Sequence, residues 1–321
     1  MTESGQGRPQ GLHHVTAIAG NPQRNLDFYE GVLGLRLVKK TVNFDDPTTY
    51  HLYYGDAAGN PGTIMTFFPW AFPGAPRGKP GHGQLTVFSF AVPGGSLEYW
   101  EERLTEHGVE VGSPGTRFGS PVLELRDPDG FRIELVGSGG SEVGGAIWEG
   151  SPVPEEHALS SFESVTLSER ERGRTEEVLT GVLGFRAAGE DDGRARFEAG
   201  EGGPGRRVDI LEDPREPAGS MGVGAVHHVA FRVPDEEVHR ELREEIASLG
   251  YDVTPVIDRQ YFKAIYFREP GGVLFEIATD PPGFAADEPE AELGRHLKLP
   301  PQYERRRADI ERVLPPIRVP A

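Results

Sequence analysis

Two histidine doublets in this 321-residue chain open near-identical phrases, Gly-Leu-His13-His14-Val-Thr16-Ala-Ile and Ala-Val-His227-His228-Val-Ala-Phe-Arg. Both read as the start of a strand. Glu276 completes the set, in Gly271-Gly272-Val-Leu-Phe-Glu276-Ile-Ala, a strand that follows the second doublet. Two imidazoles and one carboxylate can bind one face of a divalent first-row metal and leave the other face open. Such a donor set suits a non-haem Fe(II) centre that activates dioxygen, with Mn(II) as the alternative ion.

The elements that must carry these residues form an internal repeat. The unit is a strand, a helix and further strands. The first copy runs from Gly11 to about Trp70, with a helix expected from Asn21 to Val32. The second starts at Leu85, has its helix at Leu97 to His107 and ends near Val136. The third starts at Ser161, and its Gly181-Val-Leu-Gly-Phe-Arg186 echoes Gly31-Val-Leu-Gly-Leu-Arg36. The fourth runs from Val226 to about Asp280, and its Arg268-Glu-Pro-Gly-Gly echoes Arg126-Asp-Pro-Asp-Gly. Residues 11–150 and 157–280 therefore form two halves of two units each, joined by a Pro- and Glu-rich linker at Gly150 to Glu156. Residues 281–321 are a charged, Pro-rich tail outside the repeat, with one short helix expected at Glu304 to Val313.

A strand–helix–strands unit cannot bury its sheet face alone, and pairing two units makes a curved sheet around a cup. The repeated βαβββ pattern resembles the vicinal oxygen chelate superfamily of glyoxalases and extradiol dioxygenases over roughly Gly11 to Asp280. The resemblance implies an α+β fold of four βαβββ modules paired into two curved sheets.

Aligning the copies with one another singles out one site. His14 corresponds to Val87, Ser164 and His228, and Glu276 corresponds to Thr66, Glu134 and Asp209. At that position imidazole occurs only in copies one and four, so one metal site is expected, on His14, His228 and Glu276, with copy one paired to copy four. A glyoxalase of the superfamily would carry a second carboxylate at the Thr66 position, and threonine there leaves room for substrate and oxygen. A lone buried histidine is more often a hydrogen-bonded core residue than a ligand, and Glu134 fits the description of a paired core acid. What favours ligation is that two doublets and an acid fall at matched repeat positions. His51 and the remaining histidines show no such convergence and read as surface or core residues.

Longer phrases narrow the family. His13-His14-Val-Thr16-Ala-Ile, Thr41-Val-Asn-Phe-Asp-Asp-Pro-Thr-Thr-Tyr-His-Leu-Tyr-Tyr-Gly, Thr66-Phe-Phe-Pro-Trp70 and Asp258-Arg259-Gln-Tyr-Phe-Lys-Ala-Ile-Tyr266-Phe-Arg-Glu-Pro-Gly-Gly resemble the para-diol ring-cleaving dioxygenases of the 2,6-dichlorohydroquinone 1,2-dioxygenase type. The resemblance implies iron on His14, His228 and Glu276, surrounded by His13, Thr16, His227, Arg259 and Tyr266 in catalytic or supporting roles. It also implies a small aromatic diol and dioxygen as reactants. Thr16, two residues from His14, is expected to share the ligand's face and touch substrate or oxygen. His13 and His227 pose a difficulty, because the neighbour of a ligand on a regular strand faces the other way unless a bulge re-aims it. Phe67, Phe68 and Trp70 are candidates for an aromatic pocket wall.

Composition supports this function class. A net charge of −18 argues against nucleic acid and anionic membrane surfaces as partners. The absence of cysteine excludes disulfides, thiolate sites and cysteine nucleophiles. With no apolar leader or membrane-length run, a cytoplasmic protein is expected; self-association into a homo-oligomer is left open. Two other readings remain, an extradiol catechol dioxygenase and a non-catalytic protein that sequesters a quinone or antibiotic in the cup.

Overall fold

Alternating apolar and polar residues form the strands, and the repeat fixes how they pair. The computed structural model describes residues 7–138, 145–159 and 161–319; residues 1–6 of the polar opening segment lie outside these. Module one comprises β1 (Leu12–Ala19), α1 (Pro22–Leu26), β2 (Arg36–Val42), β3 (Tyr50–Gly55) and β4 (Ile64–Pro69). Module two comprises β5 (Gln84–Pro93), α2 (Leu97–Glu106), β6 (Gly115–Arg117), β7 (Ser120–Arg126) and β8 (Arg132–Ser138). Module three comprises β9 (Ser161–Glu169), α3 (Gly173–Glu177), β10 (Arg186–Asp191), β11 (Arg194–Glu198) and β12 (Arg207–Glu212). Module four comprises β13 (Ala225–Val233), α4 (Glu236–Ser248), β14 (Ile257–Asp258), β15 (Lys263–Arg268) and β16 (Leu274–Thr279), and α5 (Arg307–Val313) lies in the tail.

The helix expected at Asn21 to Val32 starts with Asn21 as its cap, the side chain accepting from the Arg24 amide with Pro22 just inside. It loosens into a π turn over Asp27–Val32, and module three repeats this at Val178–Val182.

Two eight-stranded sheets result, in the orders β14-β15-β16-β13-β1-β4-β3-β2 and β10-β11-β12-β9-β5-β8-β7-β6. Module one thus pairs with module four, and module two with module three. Each sheet takes one module from each half of the chain, joined at its centre by an antiparallel pair, β1/β13 or β5/β9. One continuous apolar core, with Tyr29, Phe67, Phe88, Trp100, Phe162 and Phe231 among its members, runs through both sheets. The expected linker packs against the fold. Val153 is buried, and the Ser151 hydroxyl donates to the Gly34 carbonyl at 3.0 Å. Gly34 has a left-handed φ of 76°, and a Cβ there would stand 2.7 Å from Val153, so glycine suits it.

The ladders support the internal alignment residue by residue. Within each module the first strand lies parallel to the last. Thr16 pairs with Thr66, Ser89 with Glu134, Thr166 with Asp209 and Ala230 with Glu276. Each of these first-strand residues lies two positions beyond His14, Val87, Ser164 or His228. The second sheet's acids are neutralised by arginine. Glu134 accepts from Arg194 at 2.7 and 3.1 Å, and Asp209 accepts from Arg196 at 2.7 and 2.8 Å. Guanidinium groups supply the positive charge in that sheet.

Candidate metal centre

β1 and β13 run side by side at the middle of the first sheet, and Glu276 arrives on β16, the other neighbour of β13. His14 Nε2 stands 3.2 Å from His228 Nε2. Glu276 Oε2 stands 3.3 Å from His14 Nε2 and 2.9 Å from His228 Nε2. All three side chains are buried. Among the described residues they form the one group of histidines and acids whose donor atoms converge closely enough to hold a metal ion.

The doublets work through a pair of bulges. In the β1/β13 ladder Leu12 pairs with Phe231 and His14 with Ala230, so His13 is an extra residue on β1; Thr16 pairs with His228 and Ala17 with Val226, so His227 is an extra residue on β13. A bulge re-aims a side chain that a regular pleat would send to the opposite face. His13 Nδ1 lies 2.9 Å from His14 Nδ1, and His227 Nδ1 lies 2.8 Å from His228 Nδ1. One nitrogen of each pair must carry the proton. Metal binding requires a lone pair on Nε2 of His14 and His228, so their Nδ1–H groups donate and the neighbours' Nδ1 accept. Nε2 of His227 then carries a hydrogen, and His227 lines the cavity above the triad.

This donor set fits a divalent cation. With the ligands' protons on Nδ1, three lone-pair-bearing atoms converge with no proton between them. Neither oxygen of the fully buried Glu276 carboxylate has a hydrogen-bond partner in good geometry, an arrangement that is costly without a counter-charge. Burial alone would raise the Glu276 carboxyl, but positive charge on the neighbouring His14 and His228 rings holds it well below the usual carboxylate range, and a cation bound among the three would act in the same direction. Burial lowers His228 against the pull of Glu276. Burial, reinforced by His228, pushes His227 down to about 3. Burial thus favours the neutral form of His228, the state that a ligand imidazole needs, and of its neighbour His227.

The triad lies at a cavity of about 300 Å³ whose wall includes His51, Phe68, Trp70, Arg259, Phe262 and Tyr266, room enough for a single substituted aromatic ring. Tyr266 is the cross-strand partner of Glu276. Its hydroxyl accepts from Arg259 Nε at 3.3 Å, and Arg259 Nη1 is held by Asp45 at 3.0 Å. Burial, with the Glu276 carboxylate nearby, keeps the Tyr266 phenol protonated. Of the expected aromatic wall, Phe68 and Trp70 line the cavity; Phe67 points into the core, as alternation along β4 requires.

Two expected site residues sit off the cavity wall. His13 packs its ring against Phe262 and reaches the site through His14. Thr16 is fully buried, and its Oγ1 lies 2.9 Å from Thr66 Oγ1. Thr66 in turn bonds His51 Nε2 at 2.8 Å, and Tyr53 OH meets His51 Nδ1 at 2.8 Å. His51, read from sequence as a surface or core residue, therefore forms part of the cavity wall within a hydrogen-bonded chain. A signal was present in its alternation with Tyr53, which faces Thr66 across the β3/β4 ladder.

The model of the Glyoxalase/Bleomycin resistance protein/Dioxygenase superfamily matches residues 11–135 and 173–277. The "Putative ring-cleaving dioxygenase MhqO" of Bacillus subtilis (strain 168) is 46% identical over 312 residues, covering 97% of this chain and 98% of that protein. The chlorohydroquinone/hydroquinone 1,2-dioxygenase of Sphingobium indicum is 36% identical over 304 residues, covering 92% and 93%. The crystal structure of a "putative dioxygenase" from Bacillus subtilis subsp. subtilis str. 168 superposes with a TM-score of 0.92 at 46% identity, covering 98% of this chain and 99% of that one.

Proposed function

The chain belongs to the glyoxalase, bleomycin resistance protein and dioxygenase superfamily, and within it to the ring-cleaving dioxygenases, and on that premise we propose that it is an Fe(II)-dependent enzyme that opens the ring of a hydroquinone-type diol with dioxygen. The observation that carries this reading is the convergence of His14, His228 and Glu276 beside an aromatic-walled cavity, with Thr66 rather than a second acid at the position matching Glu276. Mn(II) suits the same donors. A divalent ion bound there would favour the phenolate form of a substrate hydroxyl and pass electron density from ring to oxygen.

The protein's own groups have distinct tasks. His13 and His227 fix the tautomer and aim of the two ligand rings. Nε2–H of His227 faces the substrate, where it can donate a hydrogen bond to a substrate oxygen and stabilise negative charge that develops there. The Tyr266 hydroxyl, oriented by Arg259, donates to an oxygen near Glu276. Thr16 and Thr66 hold His51 in the wall, and Phe68, Phe262 and Trp70 shield the ring from water.

Reconstitution with Fe(II) without air, followed by oxygen-uptake measurements on adding hydroquinone and catechol panels in aerated buffer, tests the proposal. Uptake with a ring-opened chromophore is expected for hydroquinones. Preference for catechols would reassign the substrate, and no uptake with any diol would sink the dioxygenase reading. His227→Ala at saturating metal is expected to lower kcat on the order of 100-fold while metal still binds. Unchanged kcat would remove His227 from the chemistry.

A further inference from the structure

We propose that the C-terminal tail belongs to the active-site apparatus: Asp287 positions the turn at residues 258–262, which carries Arg259 and Phe262 onto the metal cavity. Only the kinetic consequence rests on the dioxygenase reading; the positioning stands on the geometry of the turn.

The tail begins where the repeat ends and folds back over module one. Lys39 on β2 is fully buried. It pairs with Asp287 at 2.7 Å and also with Glu288, and its ammonium stands 4.8 Å from the centroid of the Tyr261 ring. A buried lysine needs such partners, and one acidic neighbour could serve. Asp287 does more than pair with it. It also accepts from Gln260 Nε2 at 2.7 Å and from Tyr261 OH at 3.0 Å, so three donors from two distant parts of the chain meet on one carboxylate.

The turn that it grips is one that the backbone would not hold unaided. Gln260 has a φ of 67°, a left-handed conformation that is uncommon for a residue with a Cβ. Local bonds close the turn. The Gln260 amide donates to Asp258 Oδ1 at 2.7 Å, and the Tyr261 amide donates to the Arg259 carbonyl at 2.8 Å. The residues on either side of this strained position face the site. Arg259 orients the Tyr266 hydroxyl, and the Phe262 ring lies 5.1 Å, centroid to centroid, from the ring of the ligand His14. Relaxing Gln260 would swing both away, and a misplacement of about 1 Å costs on the order of 100-fold in rate. The ligands themselves ride on β1, β13 and β16, so the turn contributes no metal ligand.

Glu288 provides an internal control, because it pairs with Lys39 without a hydrogen bond to the turn. The test compares Asp287→Ala, Asp287→Asn and Glu288→Gln in the full chain by hydrogen exchange at the amides of Arg259, Gln260 and Tyr261, with metal content and kcat/KM for hydroquinone measured alongside. Asp287→Ala is expected to speed exchange there by about tenfold or more and to lower kcat/KM with full metal content. Asp287→Asn, which keeps one acceptor oxygen, should recover part of both; it also serves if the alanine variant does not fold. Glu288→Gln should leave exchange at the turn near wild type. Equal effects of the Asp287 and Glu288 variants, or no change in exchange in the Asp287 variants, would show that the tail only anchors the fold. If wild-type protein turns over no diol, the dioxygenase reading fails, and the exchange difference still decides the role of Asp287.

Discussion

Glu276→Gln is expected to abolish metal binding and turnover together. The amide has nearly the shape of the carboxylate but lacks the charge, and its NH2 can point a proton at the spot where a cation would sit. Loss of a partner one bond further out typically weakens metal affinity by about 10–100-fold, so loss of this ligand should exceed that. Thermal unfolding separates ligand loss from damage to the fold. A hundredfold excess of metal over its Kd should stabilise wild-type protein by about 2.7 kcal/mol, and the variant by nothing. Without metal, the melting temperature of the variant reports damage to the fold alone. A variant that keeps its metal-dependent shift would remove Glu276 from the ligand set.

Thr66→Glu is expected to separate metal binding from turnover. Thr66 stands to the strand of His14 as Glu276 stands to the strand of His228, by the pairings Thr16 with Thr66 and Ala230 with Glu276. A carboxylate there would approach the triad from the matching side and offer a fourth protein ligand. Open metal sites react because a position is left for substrate, whereas closed ones serve structure. Metal should therefore bind at least as tightly as in wild type, while diol turnover falls by more than about 100-fold. Thr66→Val is the control. It keeps the shape and gives up the bonds to Thr16 and His51, at about 1 kcal/mol each, and should stay largely active. Wild-type turnover by Thr66→Glu, or loss of its metal, would show that this position does not decide how open the site is.

The triad was legible in the sequence because the chain contains its own alignment. His14 and His228 could be matched to Val87 and Ser164, and Glu276 to Thr66, Glu134 and Asp209, without structure. The ladders support these matches because parallel pairing within a module fixes which residues of its first and last strands lie side by side. The facing of His13 and His227 was not legible. A bulge exists only relative to a partner strand, and that partner is more than two hundred residues away, with His14 and His228 themselves 214 apart. His51 was missed for a related reason. Its repeat counterpart is not a histidine: Arg196 faces Asp209 as Tyr53 faces Thr66, which sets His51 against Arg194. The guanidinium that neutralises Glu134 thus stands at the position where the first sheet has an imidazole in its cavity wall. Of the tail, the composition and the short helix ending at Val313 were legible, but not its role, since Asp287 acts on Lys39 and Tyr261, and both contacts depend on the folded chain.

The central claim is that the two histidine doublets and Glu276 hold a metal that brings dioxygen into an aromatic ring, and labelled dioxygen tests it most directly. Protein reconstituted with Fe(II) and given hydroquinone under isotopically labelled oxygen should yield a ring-opened acid that carries both labelled atoms, with none formed by Glu276→Gln. An unlabelled product, or a quinone with its ring intact, would contradict it.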